Sequence, residues 1–127
     1  ICHPELPGSG TEPQRYENIY QKIIEGTLKR LPNCKIILLE PFVEQGWATL
    51  KQWEALSKIT QYAEITKRLA QKYGLFFVPL QKKFDEATKK YGVETVVDDG
   101  IHPCLYGSLL IANEWLGVFD KNIIKGR

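Results

Sequence analysis

The sequence predicts an α/β protein, a three-layer α/β/α sandwich built on a parallel sheet. Two short, almost continuous apolar runs, residues 34–39 and 75–78, have the composition of strands covered on both faces. They alternate with longer segments whose apolar residues recur at helical spacing, the order expected of βαβ units with a right-handed crossover. The chain is 127 residues long, 43% hydrophobic and 25% charged. It shows no linker, low-complexity segment or internal repeat, which suits one domain or part of one.

Residues 1–12 read as loop, with Pro4, Pro7 and the turn Gly8-Ser9-Gly10. Thr11 is placed to cap a helix and Pro13 suits its first turn. Tyr16, Ile19, Tyr20, Ile23, Ile24, Leu28 and Leu31 give that helix one apolar face, and Pro32-Asn33 ends it. The run Cys34 to Leu39 is the first strand, with Cys34 expected buried within it. Glu40-Pro41-Phe42 lies at its carboxyl end, and residues 40–50 form a loop. A helix follows from Trp53, carried by Leu56, Ile59, Ala63, Ala70 and Tyr73 and closed by Gly74. Leu75 to Val78 is the second strand, and Leu80, Phe84, Ala87 and Tyr91 mark a shorter helix. Residues 92–103 are mixed and turn at Asp98-Asp99-Gly100. The last helix starts near Pro103 or Cys104, with Leu105, Leu109, Ala112, Leu116, Phe119 and Ile123 as its apolar set.

Two strands of this kind do not make a self-sufficient sheet, because each reads as buried on both faces and paired at its edges. The last helix carries a second apolar face, Ile111, Trp115 and Val118, that wants a partner. Further strands are therefore expected before Ile1.

Lys plus Arg is 17 and Asp plus Glu is 15, a formal net charge of +2 with no basic cluster. This argues against a nucleic-acid partner. No stretch approaches the roughly 20 apolar residues of a membrane helix, so no stable membrane insertion is expected. Cys2, Cys34 and Cys104 are too few and too scattered for a disulfide framework and lack CxxC spacing. Three reduced thiols are expected. His3 with Glu5 offers too few ligands for a metal, and no cofactor is expected.

The stretch Asp98-Asp99-Gly100-Ile101-His102-Pro103 is the most informative. An Asp three residues before a His, across a glycine turn, can set a carboxylate against one imidazole nitrogen and leave the other free as a base. A loop with a solvated or capping Asp gives the same pattern, so context decides. Asp98 is one residue out of this register and is expected to be solvated. Cys104 is too close to His102 along the chain for a Cys–His dyad.

The stretch continues to Trp115 and resembles the last block of the GDSL-type esterases and lipases, the SGNH hydrolases, which reads like D-G-x-H-P, a Gly, then a helix with I-A-x-x-W. Asp99, Gly100, His102, Pro103, Gly107, Ile111, Ala112 and Trp115 match it. Upstream, Leu31-Pro32-Asn33, Lys35 to Phe42, Arg68-Leu69-Ala70 and Lys72-Tyr73-Gly74 resemble bacterial members in the same order. The resemblance implies an SGNH hydrolase-like, flavodoxin-like sandwich whose N-terminal strands are missing. Residues 1–127 would then be the C-terminal part of a single domain, with Ile1 just after the family's G-x-N-D block.

Carried over, His102 would be the general base and Asp99 its orienting carboxylate. The family's nucleophile, the Ser of G-D-S, and its oxyanion-hole Gly and Asn have no match here. Ser9 lacks the strand-to-helix elbow a nucleophile needs. Ser57 reads as a surface helix residue, and Ser108 stands where many members carry a second His. The implied activity is serine ester hydrolysis of small or short-chain esters, such as O-acetylated carbohydrates or lysophospholipids, with no cofactor. His3 and Trp47 are candidate substrate contacts; for Trp47 a cap over the core is the stronger expectation. A small-molecule ester is the expected partner, and homo-oligomers are a further expectation. The rival readings are a non-catalytic α/β binding or relic module, and an unrelated flavodoxin-like domain binding an anion at a helix N-terminus. The second lacks a glycine-rich phosphate loop after either strand.

Overall fold

The structure, a computed structural model, describes residues 11–125; Cys2, His3 and Ser9 lie outside them. Helix α1, Pro13–Arg30, opens on its proline, whose missing N–H costs nothing in the first turn. Glu12, not Thr11, occupies the cap position, and no side chain caps it. The Thr11 carbonyl instead accepts the Tyr62 hydroxyl at 2.6 Å.

Strand β1, Ile37–Leu39, and strand β2, Phe76–Val78, pair in parallel with Ile37 beside Phe76 and Leu39 beside Val78. Both are shorter than the apolar runs that contain them, because each has one hydrogen-bonded neighbour among the described residues. The first strand does not reach Cys34. Cys34 is exposed in a turn whose N–H bonds the Leu31 carbonyl, so its expected burial is corrected. Pro32, at the second position of that turn, favours a chain reversal over an extended start.

Alternation along the strands splits the interior into two layers. Leu38 and Phe77 face α1 and helix α3, Ile59–Tyr73, and pack with Ile24, Ile65, Leu69 and Ala70. The buried Thr66 hydroxyl in this layer is satisfied by Tyr16 and by the Tyr62 carbonyl. Ile37 and Val78 face the other way, toward Leu80, Phe84, Ala87, Val96 and Val97. These come from helix α4, Gln81–Tyr91, and from the one-turn helix α5, Val93–Val96, with its flanks. Two helical layers with the sheet between them make the three-layer α/β/α sandwich.

The single helix expected from Trp53 to Tyr73 is two. Helix α2, Trp53–Leu56, is preceded by a 3₁₀ turn and stops at Ser57, whose hydroxyl bonds the Glu54 carbonyl at 3.1 Å. A serine that satisfies a carbonyl in this way competes with the helical ladder. Helix α3 ends at Gly74 in the left-handed conformation, φ 61°.

Helix α6, Leu105–Phe119, continues into a π turn, Asp120–Ile124. Its orientation corrects the expectation. Leu110, Ile111, Trp115 and Val118 pack on the core, while Leu105, Leu109 and Leu116 are 79%, 56% and 47% exposed. Gly107 sets the choice. A side chain there would collide with the Val96 carbonyl, so the helix approaches on the Gly107 side and positions 110, 111, 115 and 118 follow at helical spacing.

Candidate active site

The turn from Asp98 to Pro103 sits after β2, α4 and α5, anchored below by Val96 and Val97, both fully buried. The Gly100 N–H bonds the Val97 carbonyl at 2.7 Å and the Cys104 N–H bonds the Val96 carbonyl at 2.9 Å. Asp99 organises the turn. Its Oδ1 accepts the N–H groups of Ile101 at 2.8 Å and His102 at 2.7 Å, which leaves Oδ2 for the ring, 2.6 Å from His102 Nδ1. Asp99 is one-fifth exposed and the His102 ring 81% exposed, so Nε2 faces open space.

Burial pushes the Asp99 carboxyl up. The hydrogen bonds from the His102 ring, the His102 N–H and the Ile101 N–H outweigh it and hold the group below its ordinary value. A carboxylate that stays ionised beside Nδ1 favours the tautomer with its proton there and stabilises the ring when Nε2 takes up a proton.

The loop after β1 holds this turn from the side. The Glu44 N–H bonds the Gly100 carbonyl at 2.9 Å and the Trp47 N–H bonds the Asp98 carbonyl at 3.2 Å. Gly46 packs so close that a Cβ would overlap the backbone of Asp98, Asp99 and Gly100. Gly100 has φ 90°, a conformation that favours glycine. Thr49, fully buried, ties the loop together: its hydroxyl donates to the Glu44 carbonyl at 2.6 Å and accepts the Gly46 N–H at 2.8 Å. At the same strand end, Glu40 Oε2 accepts the N–H groups of Leu80, at 2.5 Å, and Gln81, at 2.9 Å, so a carboxylate stabilises the N-terminus of α4. Phe42 stacks on Phe84 with ring centroids 3.8 Å apart.

Of the residues singled out from sequence, Asp99 and His102 are brought into contact, and Trp47 is set beside their turn. Trp47 does not cap the core: its side chain is 68% exposed, and its indole N–H donates to Asp98 Oδ2 at 3.1 Å. Asp98, expected solvated, is exposed and accepts that bond. His3 lies outside the described residues. Ser108 is exposed, and the Cys104 thiol is directed at the Glu94 carbonyl, 3.8 Å away. Among the described residues, no group of three or more His, Cys, Asp or Glu side chains is placed to hold a metal ion.

Sequence reading missed Gly46, Thr49 and Glu40. The signal that could have marked Glu40 is its place before Pro41 at the strand end, since a residue before proline is held extended. Nothing local marked Thr49, whose role depends on a turn some 50 residues away.

A sequence profile of the GDSL-like Lipase/Acylhydrolase family matches residues 7–107. The chain belongs to this family. An acetylxylan esterase from Geobacillus stearothermophilus is 28% identical over 117 residues, covering 87% of this chain and 52% of the relative. Among solved structures, a protein described as a GDSL-like lipase from Parabacteroides merdae superposes with a TM-score of 0.81 at 30% identity, over 91% of this chain and 53% of that one. An α/β hydrolase enzyme from the metagenome of Lake Arreo, Spain, superposes with a TM-score of 0.75 at 25% identity, over 91% and 50%. The GDSL-like chain described here thus spans about half the length of these relatives.

Proposed function

We propose that residues 1–127 form the C-terminal part of a single SGNH hydrolase domain and supply the acid–base pair of a serine ester hydrolase. The observation that carries this reading is the 2.6 Å contact between Asp99 Oδ2 and His102 Nδ1, with Nε2 left open. His102 Nε2 accepts the proton of a serine hydroxyl as that oxygen attacks the ester carbonyl, then gives it to the departing alcohol. Water enters next. His102 takes its proton, the hydroxyl displaces the serine from the acyl group, and His102 returns a proton to the serine oxygen. Asp99 stays ionised and stabilises the charged ring in both halves.

The nucleophile lies outside these 127 residues, which contain no Gly-Asp-Ser sequence. The substrates are small or short-chain esters. O-acetylated carbohydrates fit the acetylxylan esterase relative, and lysophospholipids are the other class the family resemblance implies. Trp47, exposed beside the acid turn, is a candidate contact for the acyl or alcohol group, as is His3.

The test is turnover of p-nitrophenyl acetate and acetylated xylo-oligosaccharide by the protein that carries these residues together with a G-D-S block. His102→Ala is expected to lower kcat about 10⁴-fold or more. Unchanged turnover removes the assignment. The 127-residue chain alone is expected to give turnover near the uncatalysed level.

A further inference from the structure

We propose that a groove beside the acid turn, outside the Asp99–His102 pair, is a subsite for the saccharide part of the substrate. It rests on the reading of an esterase for acylated carbohydrates and names where the sugar sits. The groove is open to solvent, holds about 650 Å³ and runs between the loop after β1, helix α2, the start of α3 and helix α4. That volume lies within the roughly 300–1,000 Å³ of small-molecule sites. It sits at the carboxyl ends of both strands, where open α/β sheets take ligands. Glu44 contributes to both places: its carboxyl lines the groove and its N–H holds Gly100.

The polar groups converge and are held in position. The two N–H groups of Gln81 Nε2 are shared among Asp85 Oδ1 at 2.8 Å, the Val43 carbonyl at 3.0 Å and Glu44 Oε1 at 3.1 Å, while its Oε1 accepts the Val43 N–H at 3.0 Å. Thr88 Oγ1 approaches Glu44 Oε2 at 3.3 Å. Burial first, then a hydrogen bond with Asp85 and the charge of Asp85, push the Glu44 carboxyl up to about 7. The carboxyl oxygens of Glu44 and Asp85, held in place by Gln81, and the Thr88 hydroxyl suit a pair of neighbouring hydroxyls. Trp53 lines the same groove and supplies an aromatic wall for the C–H face of a sugar ring. The Glu44 and Asp85 carboxyls and the Lys89 ammonium line the same groove and offset one another, so its net charge favours neither an anionic nor a cationic ligand over a neutral sugar.

The probe is unacetylated xylotriose, titrated at pH 6 into the 15N-labelled protein that carries these residues together with the G-D-S block and followed by NMR. The Trp53 indole and Gln81 side-chain amide signals are expected to shift saturably with an affinity of about 1 mM. Trp53→Ala should weaken binding about tenfold or more and Trp53→Phe should restore most of it. The spread of amide signals in each variant reports whether it is folded, and Gln81→Ala is a second probe if Trp53→Ala is not. The subsite is overturned if no saturable shift occurs, if folded Trp53→Ala or Gln81→Ala binds as the parent does, or if the shifts gather at Trp47 and His102 instead. Ester hydrolysis is measured separately on the protein bearing the G-D-S block. Groove binding without His102-dependent hydrolysis supports the subsite and overturns the esterase reading. Hydrolysis without groove binding does the reverse.

Discussion

Asp99 and Glu44 are carboxylic acids on two touching segments, and their surroundings move them in opposite directions. Asp99 receives three hydrogen bonds that favour its charge, so its folded value lies below the ordinary 3.8. It contributes stability above that ordinary value and loses it as pH falls through the lowered one. Glu44 is raised from 4.5 to about 7. Its contribution is complete below pH 4.5, where both folded and unfolded chains hold the proton, and is lost as pH rises to about 7. Glu44→Gln should therefore flatten the fall in Tm between about pH 4.5 and 7, read by thermal melts across that range; an unchanged slope shows that another group titrates there. Thr49 gives a second measurement. Thr49→Val keeps the shape but removes the two hydroxyl bonds and leaves the Gly46 N–H and the Glu44 carbonyl only their mutual 3.1 Å bond, so it should cost about 1 kcal/mol in urea unfolding. The loss should also broaden the His102 ring signals, because the Asp99 turn rests on that loop.

At the scale of elements, helices α1, α3 and α4 and both strands were legible because their apolar residues repeat at the period of the structure they form. The Asp99–His102 contact was legible for a related reason: D-x-x-H with an intervening glycine is a local pattern, and local geometry closes it. What was not legible depended on distant neighbours. Cys34 shares the apolar run that becomes β1, yet pairing starts only at Ile37, opposite Phe76. Ser57 broke a helix whose apolar spacing runs straight through it. Helix α6 is apolar nearly all round, so periodicity left both faces open and the Val96 carbonyl over Gly107 decided between them. That decision has a measurable asymmetry. Phe84, fully buried against Phe42 and α6, should cost about 3–5 kcal/mol on truncation to Ala. Leu109→Lys, on the exposed side of α6, should stay within about 0.5 kcal/mol. A large loss at Leu109 in denaturant titrations would mean that the helix packs through the other face.

For the molecule as a whole, the two helical layers are unequal in what they leave uncovered. Leu105, Leu109 and Leu116 form one exposed apolar strip on α6, and Ile19 and Ile23 add exposed apolar surface on α1. Each strand has one hydrogen-bonded neighbour among the described residues, so backbone donors and acceptors remain open along the sheet. Contiguous apolar surface and open strand edges both drive association in water. We therefore expect the 127-residue chain to self-associate in a concentration-dependent way in sedimentation velocity. The two causes separate by substitution. Lysine at 105, 109 and 116 removes the apolar strip without touching the sheet, and should return the chain to monomer if the strip dominates. If the triple variant still associates, the open strand edges or the Ile19–Ile23 surface of α1 drive it, because both are unchanged. A parent chain that stays monomeric at all concentrations would show that neither surface is sticky enough to matter. The reading of this chain as part of a larger domain would then lose its physical support.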